Sequence, residues 1–90
     1  MMLTVKQNSV LAMTTGERRF DESEATAFIL LEGELIVEHQ SCDSCRYKTT
    51  VLTNRGSHIV IAPKTYHRLK NLKMERVLFI EVKTEFNQSE

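Results

Sequence analysis

Long hydrophobic runs are missing from this 90-residue chain. The apolar run through Phe28 to Leu31 falls far short of the ~20 residues that a membrane-spanning helix needs, so no membrane contact is expected. An excess of one charge is missing as well. Twelve basic side chains offset 12 acidic ones, which removes the electrostatic reason to expect nucleic acid. No basic segment followed by an apolar one opens the chain, so no secretory signal is read there and a cytoplasmic location is expected. Helical periodicity of normal length is absent, and no segment repeats. A chain this short buries only ~60% of its unfolded surface, which makes a large internal cavity costly.

What is present is a series of short β-branched and aromatic runs between turn signals, which argues for an all-β sandwich or barrel. Met1 to Val5 and Ser9 to Met13 read as two N-terminal strands, Thr14 to Gly16 as a turn, and Glu17 to Phe20 as extended chain. After the acidic connection Asp21 to Glu24, Ala25 to Leu31 is apolar on both alternating faces, which predicts that both are covered. Gly33 marks a bend, after which Leu35 and Val37 alternate with Glu34, Ile36 and Glu38 in a half-buried strand. His39 to Arg46 reads as a polar hairpin loop, and Tyr47 to Leu52 as the returning strand. Gly56 sits where a turn needs positive φ. Ile59 to Ala62 is a strand closed by Pro63, Tyr66 to Leu69 re-enters a sheet, and Met74 to Lys83 is the last strand.

Gly56, Pro63, His67 and Asn71 resemble the second sequence motif of the cupin superfamily, in which a glycine, an apolar strand, a proline, a tight turn, a histidine and an asparagine follow in order. Ala27 to Glu38, an apolar strand entering Gly33-Glu34 and leaving as another strand, resembles the end of the first motif, and Arg76 to Val82 resembles the strand that follows. The resemblance spans most of residues 20 to 84. It implies a small jelly-roll β-barrel over residues 1–84, with 85–90 as a frayed tail. The turn from Pro63 to His67 is one residue shorter than the family's and lacks its glycine. The first motif of a metal-binding cupin carries two histidines and a glutamate. Counting back from Gly33 puts Thr26 at the glutamate position and either Glu22 and Phe20 or Asp21 and Arg19 at the histidine positions.

Several groups of residues bear on function. His67 with Glu22 or Asp21 can supply part of a metal site, but such sites need at least three protein ligands, and His58, the obvious second histidine, is nine residues away along the chain. The alternative is a histidine hydrogen-bonded inside the barrel. His39, Cys42 and Cys45 place three soft ligands within seven residues, half of a zinc site, although the plainer reading is a polar hairpin tip with two reduced thiols. Lys64, Arg68, Lys70, Lys73 and Arg76 can attract an acidic ligand or simply be solvated. Val77 and Phe79, with Phe28 and Leu30, are expected to form an apolar face that meets a second copy in a homodimer. The leading expectation is a non-catalytic cupin-like protein that binds a small acidic or sugar-like molecule at the barrel mouth. His67, Tyr66, Arg68, Glu22, Phe20 and Thr26 are the candidate ligand-binding residues, and no cofactor is expected. A metal-dependent isomerase or dioxygenase and a non-catalytic interaction or sensor module are the alternatives.

Overall fold

A computed structural model describes residues 2–85. Among the described residues there are nine strands and no helix: β1 (Met2–Val10), β2 (Thr14–Thr15), β3 (Arg19–Asp21), β4 (Glu24–Glu32), β5 (Leu35–Gln40), β6 (Lys48–Leu52), β7 (His58–Ile61), β8 (Thr65–Asn71) and β9 (Val77–Glu85). They form two antiparallel sheets. One runs in the order β1-β9-β4-β7. The other runs β2-β8-β5-β6, with β3 following β2 along the same edge of β8. From β3 onward the chain passes back and forth between the sheets, staying in one only for the β5–β6 hairpin, and this alternation is a jelly-roll barrel. Residues 86–90 of the expected tail lie outside the described residues.

The core sits between the sheets. From β4, Phe28 and Leu30 point inward, and from β9, Val77 and Phe79. Opposite them stand Leu35 and Val37 of β5, with Leu52 and Ile61 completing the cluster. Burying such side chains contributes ~1.5–3 kcal/mol each. The four residues expected to meet a second copy are therefore core residues, at most 2% exposed. Period-2 alternation separates two faces of a strand without saying which is inside, and β4 and β9 are apolar on both.

Two further expectations are corrected. The two N-terminal strands are one, β1, nine residues long, and it lies at the edge of its sheet beside β9. It extends the sheet rather than covering it, so the outer side of β4 is left without a covering layer among the described residues. Gly33 carries the chain from β4 in one sheet to β5 in the other at φ +91°. A Cβ there would stand 3.1 Å from Val77 Cγ2 and 3.3 Å from Val77 Cα, so a side chain at the crossing would be crowded against Val77 as well as strained at this φ. Beside it a bulge between Leu30 and Glu32 interrupts the β4–β9 pairing.

Candidate functional site

The turn after Pro63 passes through Lys64 at φ 62° and delivers the chain into β8. Alternation then turns His67 and Asn71 into the barrel, while Tyr66 and Arg68 send their side chains to the outer surface. Asn71 is a clasp. Its Nδ2 lies within reach of the backbone carbonyls of Val10, Leu11 and Glu75, and its Oδ1 accepts from the Lys73 amide. It ties the end of β1 to the β8–β9 connection.

His67 is 3% exposed. Its ring centre is 5.5 Å from that of Phe28, and across the sheet it is paired with Arg19 of β3 and His39 of β5. Nδ1 of His67 is buried without a hydrogen-bond partner among the described residues. An unsatisfied buried polar atom costs ~1–3 kcal/mol, so a polar atom brought to it by another molecule would be stabilising. Burial pushes the imidazole below its ordinary pKa of 6.5, against the upward pull of Asp21, Glu81 and, more weakly, the Thr65 backbone, and with Lys83 adding to the depression. The ring is therefore neutral near pH 7, with one donor and one acceptor nitrogen.

Beside His67 opens a cavity of about 610 Å³. Its walls carry Lys6 and Asn8 from β1, Glu81 and Lys83 from β9, and Arg19 from β3, with Phe28 and Phe79 adding apolar surface. Asn8 Nδ2 donates to Glu81 Oε1 at 3.1 Å, and Lys83 Nζ lies 3.3 Å from Asp21 Oδ2 and 3.9 Å from Glu81 Oε2. These three charged side chains keep 19–28% of their surface exposed, so water reaches them. A cavity of this size runs against the expectation from chain length. The walls are charged and hydrated, so the hollow is not a dry void, and the missing packing is offset by solvation.

The candidate residues from the sequence are scattered over this architecture. Of the six candidate ligand-binding residues, only His67 and Arg68 border the cavity. The guanidinium of Arg68 instead bonds Glu38 and lies over the Tyr47 ring. Tyr66 stacks with Phe20 at 4.6 Å and beneath Arg18 on the outer face of the sheet, on the far side from His67. Glu22 is exposed at the bend before β4. Thr26 is buried inside the barrel, paired with Lys83 and Ile61, and is not on the cavity wall. Of the two alignments of the absent histidine positions, Asp21 and Arg19 are the pair turned toward His67 and Lys83. Lys6, Asn8, Glu81 and Lys83 were missed. The signal available for the last two was a glutamate and a lysine at alternate positions of an otherwise apolar strand.

These residues do not fit a metal centre. Among the described residues no three histidine, cysteine or acidic side chains are grouped to hold an ion. Asp21 is paired with Lys83, and His58 is exposed near the Gly56 carbonyl. The hairpin tip also differs from expectation. Cys42 and Cys45 form a disulfide across a turn closed by the Cys45 amide on the Cys42 carbonyl. The turn brings their Cα atoms to 5.1 Å, within disulfide reach, so the thiols are not free to join His39. His39 faces a smaller hollow of about 240 Å³ beside Ile61 and Thr65. No helix among the described residues is long and apolar enough to cross a membrane.

The fold is that of the cupin domains, as the motif resemblance implied. The protein BH2720 from Bacillus halodurans superposes with a TM-score of 0.84 over 96% of this chain and 64% of its own, at 13% identity. The plu4264 protein from Photorhabdus luminescens gives 0.77 over 92% of this chain and 62% of its own, at 19% identity. The cupin domain of Cnp3 from Schizosaccharomyces pombe gives 0.79 over 93% and 56%, at 13% identity. The chain thus spans less than two thirds of the length of these structures, and at such identities the likeness is one of fold. No protein-family model matches the sequence, and no curated protein matches it.

Proposed function

We propose that the protein binds a small polar molecule in the cavity beside His67, without chemistry of its own. The observation that carries this reading is a buried imidazole with an unpartnered Nδ1 on the wall of a hollow of about 610 Å³, within the size range of small-molecule sites. Lys6, Arg19 and Lys83 can receive a carboxylate or hydroxyl, and Glu81 and Asn8 can receive a donor. Phe28 and Phe79 offer a place for a short carbon skeleton. A compact hydroxy acid or sugar acid uses all three kinds of wall.

Calorimetric titration with a panel of small hydroxy acids, sugar acids and neutral sugars tests this. Binding that weakens at least ~10-fold in both His67→Ala and Lys83→Met, with folding kept, is the expected result. A ligand held equally well by both variants would place its site elsewhere. Lost folding in His67→Ala with unaltered binding in Lys83→Met would make His67 structural.

A further inference from the structure

The smaller hollow, of about 240 Å³, lies under the tip of the β5–β6 hairpin and shares no lining residue with the cavity beside His67. Its chemistry differs too. In the larger cavity the Lys83 ammonium has Asp21 and Glu81 beside it. Around the smaller one stand His39, Arg46 and Lys48 with the hydroxyls of Ser41 and Thr65, and none of the described residues lining it carries a carboxylate. The chain holds 12 acidic and 12 basic side chains, so composition alone does not produce this segregation.

The strands explain how these donors meet. Leu35, Val37 and His39 alternate onto the inner side of β5, and antiparallel pairing sets Lys48 of β6 opposite His39 on that side. Thr65 precedes the inward His67 by two residues and shares its side of β8. From the other sheet, the buried Ile61 supplies an apolar wall. His39 Nε2 stands 3.4 Å from Thr50 Oγ1, and its Nδ1 has no partner among the described residues. Among those residues Arg46 and Lys48 join none of the ion pairs either. The tip that carries Ser41 and Arg46 is fixed in advance. The buried Gln40 donates through Nε2 to the Cys45 carbonyl at 2.6 Å and the Asp43 carbonyl at 3.3 Å. Arg18 bonds Gln40 and Asp43 from outside, and the Cys42–Cys45 disulfide closes the turn. Ordering a loop at the moment of binding costs affinity, and here that cost is already met by the fold.

We propose that this hollow is a second binding site, for phosphate, either free or as a compact ester. Lysine and arginine only donate, and histidine and the hydroxyls donate as well, so the occupant must be rich in acceptors. A phosphate group carries about −1.5 to −2 charge near pH 7 and at least three strong acceptor oxygens. A lone carboxylate, with two oxygens and one charge, leaves part of this donor set unused. Size restricts the occupant further, because the hollow falls below the ~300–1,000 Å³ of sites for drug-sized molecules. The Arg46 guanidinium is suited to two oxygens at once and the Lys48 ammonium to the net charge.

Calorimetric titration of the chain with inorganic phosphate and with glycerol phosphate, in ~150 mM chloride to screen diffuse attraction, tests this. The expected result is saturable binding of at least one of them, weakened at least ~10-fold in Arg46→Met and in Lys48→Met. Both side chains are exposed, so the circular dichroism of the variants should match the wild type. Arg55→Met, which removes the same charge from the β6–β7 connection, should bind as the wild type does. Tighter binding of glycerol phosphate would assign the site to an ester, and tighter binding of inorganic phosphate to the free ion; each upholds the proposal. No saturable binding of either compound overturns it. So does equal weakening in all three variants, which would make the attraction diffuse. Binding lost in Lys83→Met but kept in Lys48→Met overturns it as well, by placing the anion in the cavity beside His67.

Discussion

At the scale of the residue, His67 combines burial, an unpartnered Nδ1 and a neighbouring hollow. Its place on a strand near the barrel mouth was expected from Pro63 and from the alternation of Tyr66 to Leu69, while its near-complete burial was not. Its neighbours were not either, because Arg19 reaches it through the β3–β8 pairing and Glu81 and Lys83 from the opposite sheet, contacts that local pattern does not encode. A pH dependence follows from its burial. The folded-state pKa lies below the ordinary 6.5, so the unfolded chain binds the proton more readily. The contribution is complete above that value and is lost as the pH falls through it toward the depressed folded value. Glu81 and Asp21, which face the ring from β9 and β3, and Lys83 beside them set how far. His67→Gln should therefore lose less stability than the wild type between ~pH 7.5 and ~pH 5.5 in urea denaturation. Equal losses in the two proteins would remove His67 from the acid sensitivity.

At the scale of the element, β9 shows why pattern reading stops where it does. Leu78, Ile80 and Val82 on one side and Val77 and Phe79 on the other are equally apolar. Only the continuation, where the second side becomes Glu81 and Lys83, distinguishes a wall that turns from core to cavity along its length. Strands β4 to β8 were legible to within a few residues because Gly33, Gly56 and Pro63 bound them. The disulfide at the β5–β6 hairpin tip was not, since a Cys-x-x-Cys spacing serves a disulfide, a metal or two free thiols alike. Gly33 is the element-level test. Its positive φ and the contact with Val77 predict that Gly33→Ala destabilises the protein by about 1–3 kcal/mol, read as a lower urea midpoint at unchanged slope. An unchanged midpoint would show that the crossing between the sheets tolerates a side chain.

At the scale of the whole molecule, polarity is arranged in two halves. The end of the barrel built around Leu30, Leu35 and Val37 is a closed apolar core that supplies stability. The end around His67 gives up packing for charged walls and a hollow, while the sheet behind that hollow turns its apolar residues outward. An apolar core at one end makes the polar cavity at the other tolerable in so small a chain. An all-β sandwich or barrel was legible from the strands and turns, and the jelly roll from the motif resemblance, but this division was not. It depends on which face of each strand points inward.

The most direct measurement is the imidazole spectrum of the protein by nuclear magnetic resonance, recorded while small hydroxy acids and sugar acids are added. A ligand in the cavity should move the His67 ring signals saturably, with the same dissociation constant as calorimetry, and should leave the exposed His58 in place. A ligand that binds by calorimetry while the His67 signals stay fixed would contradict the cavity as the binding site.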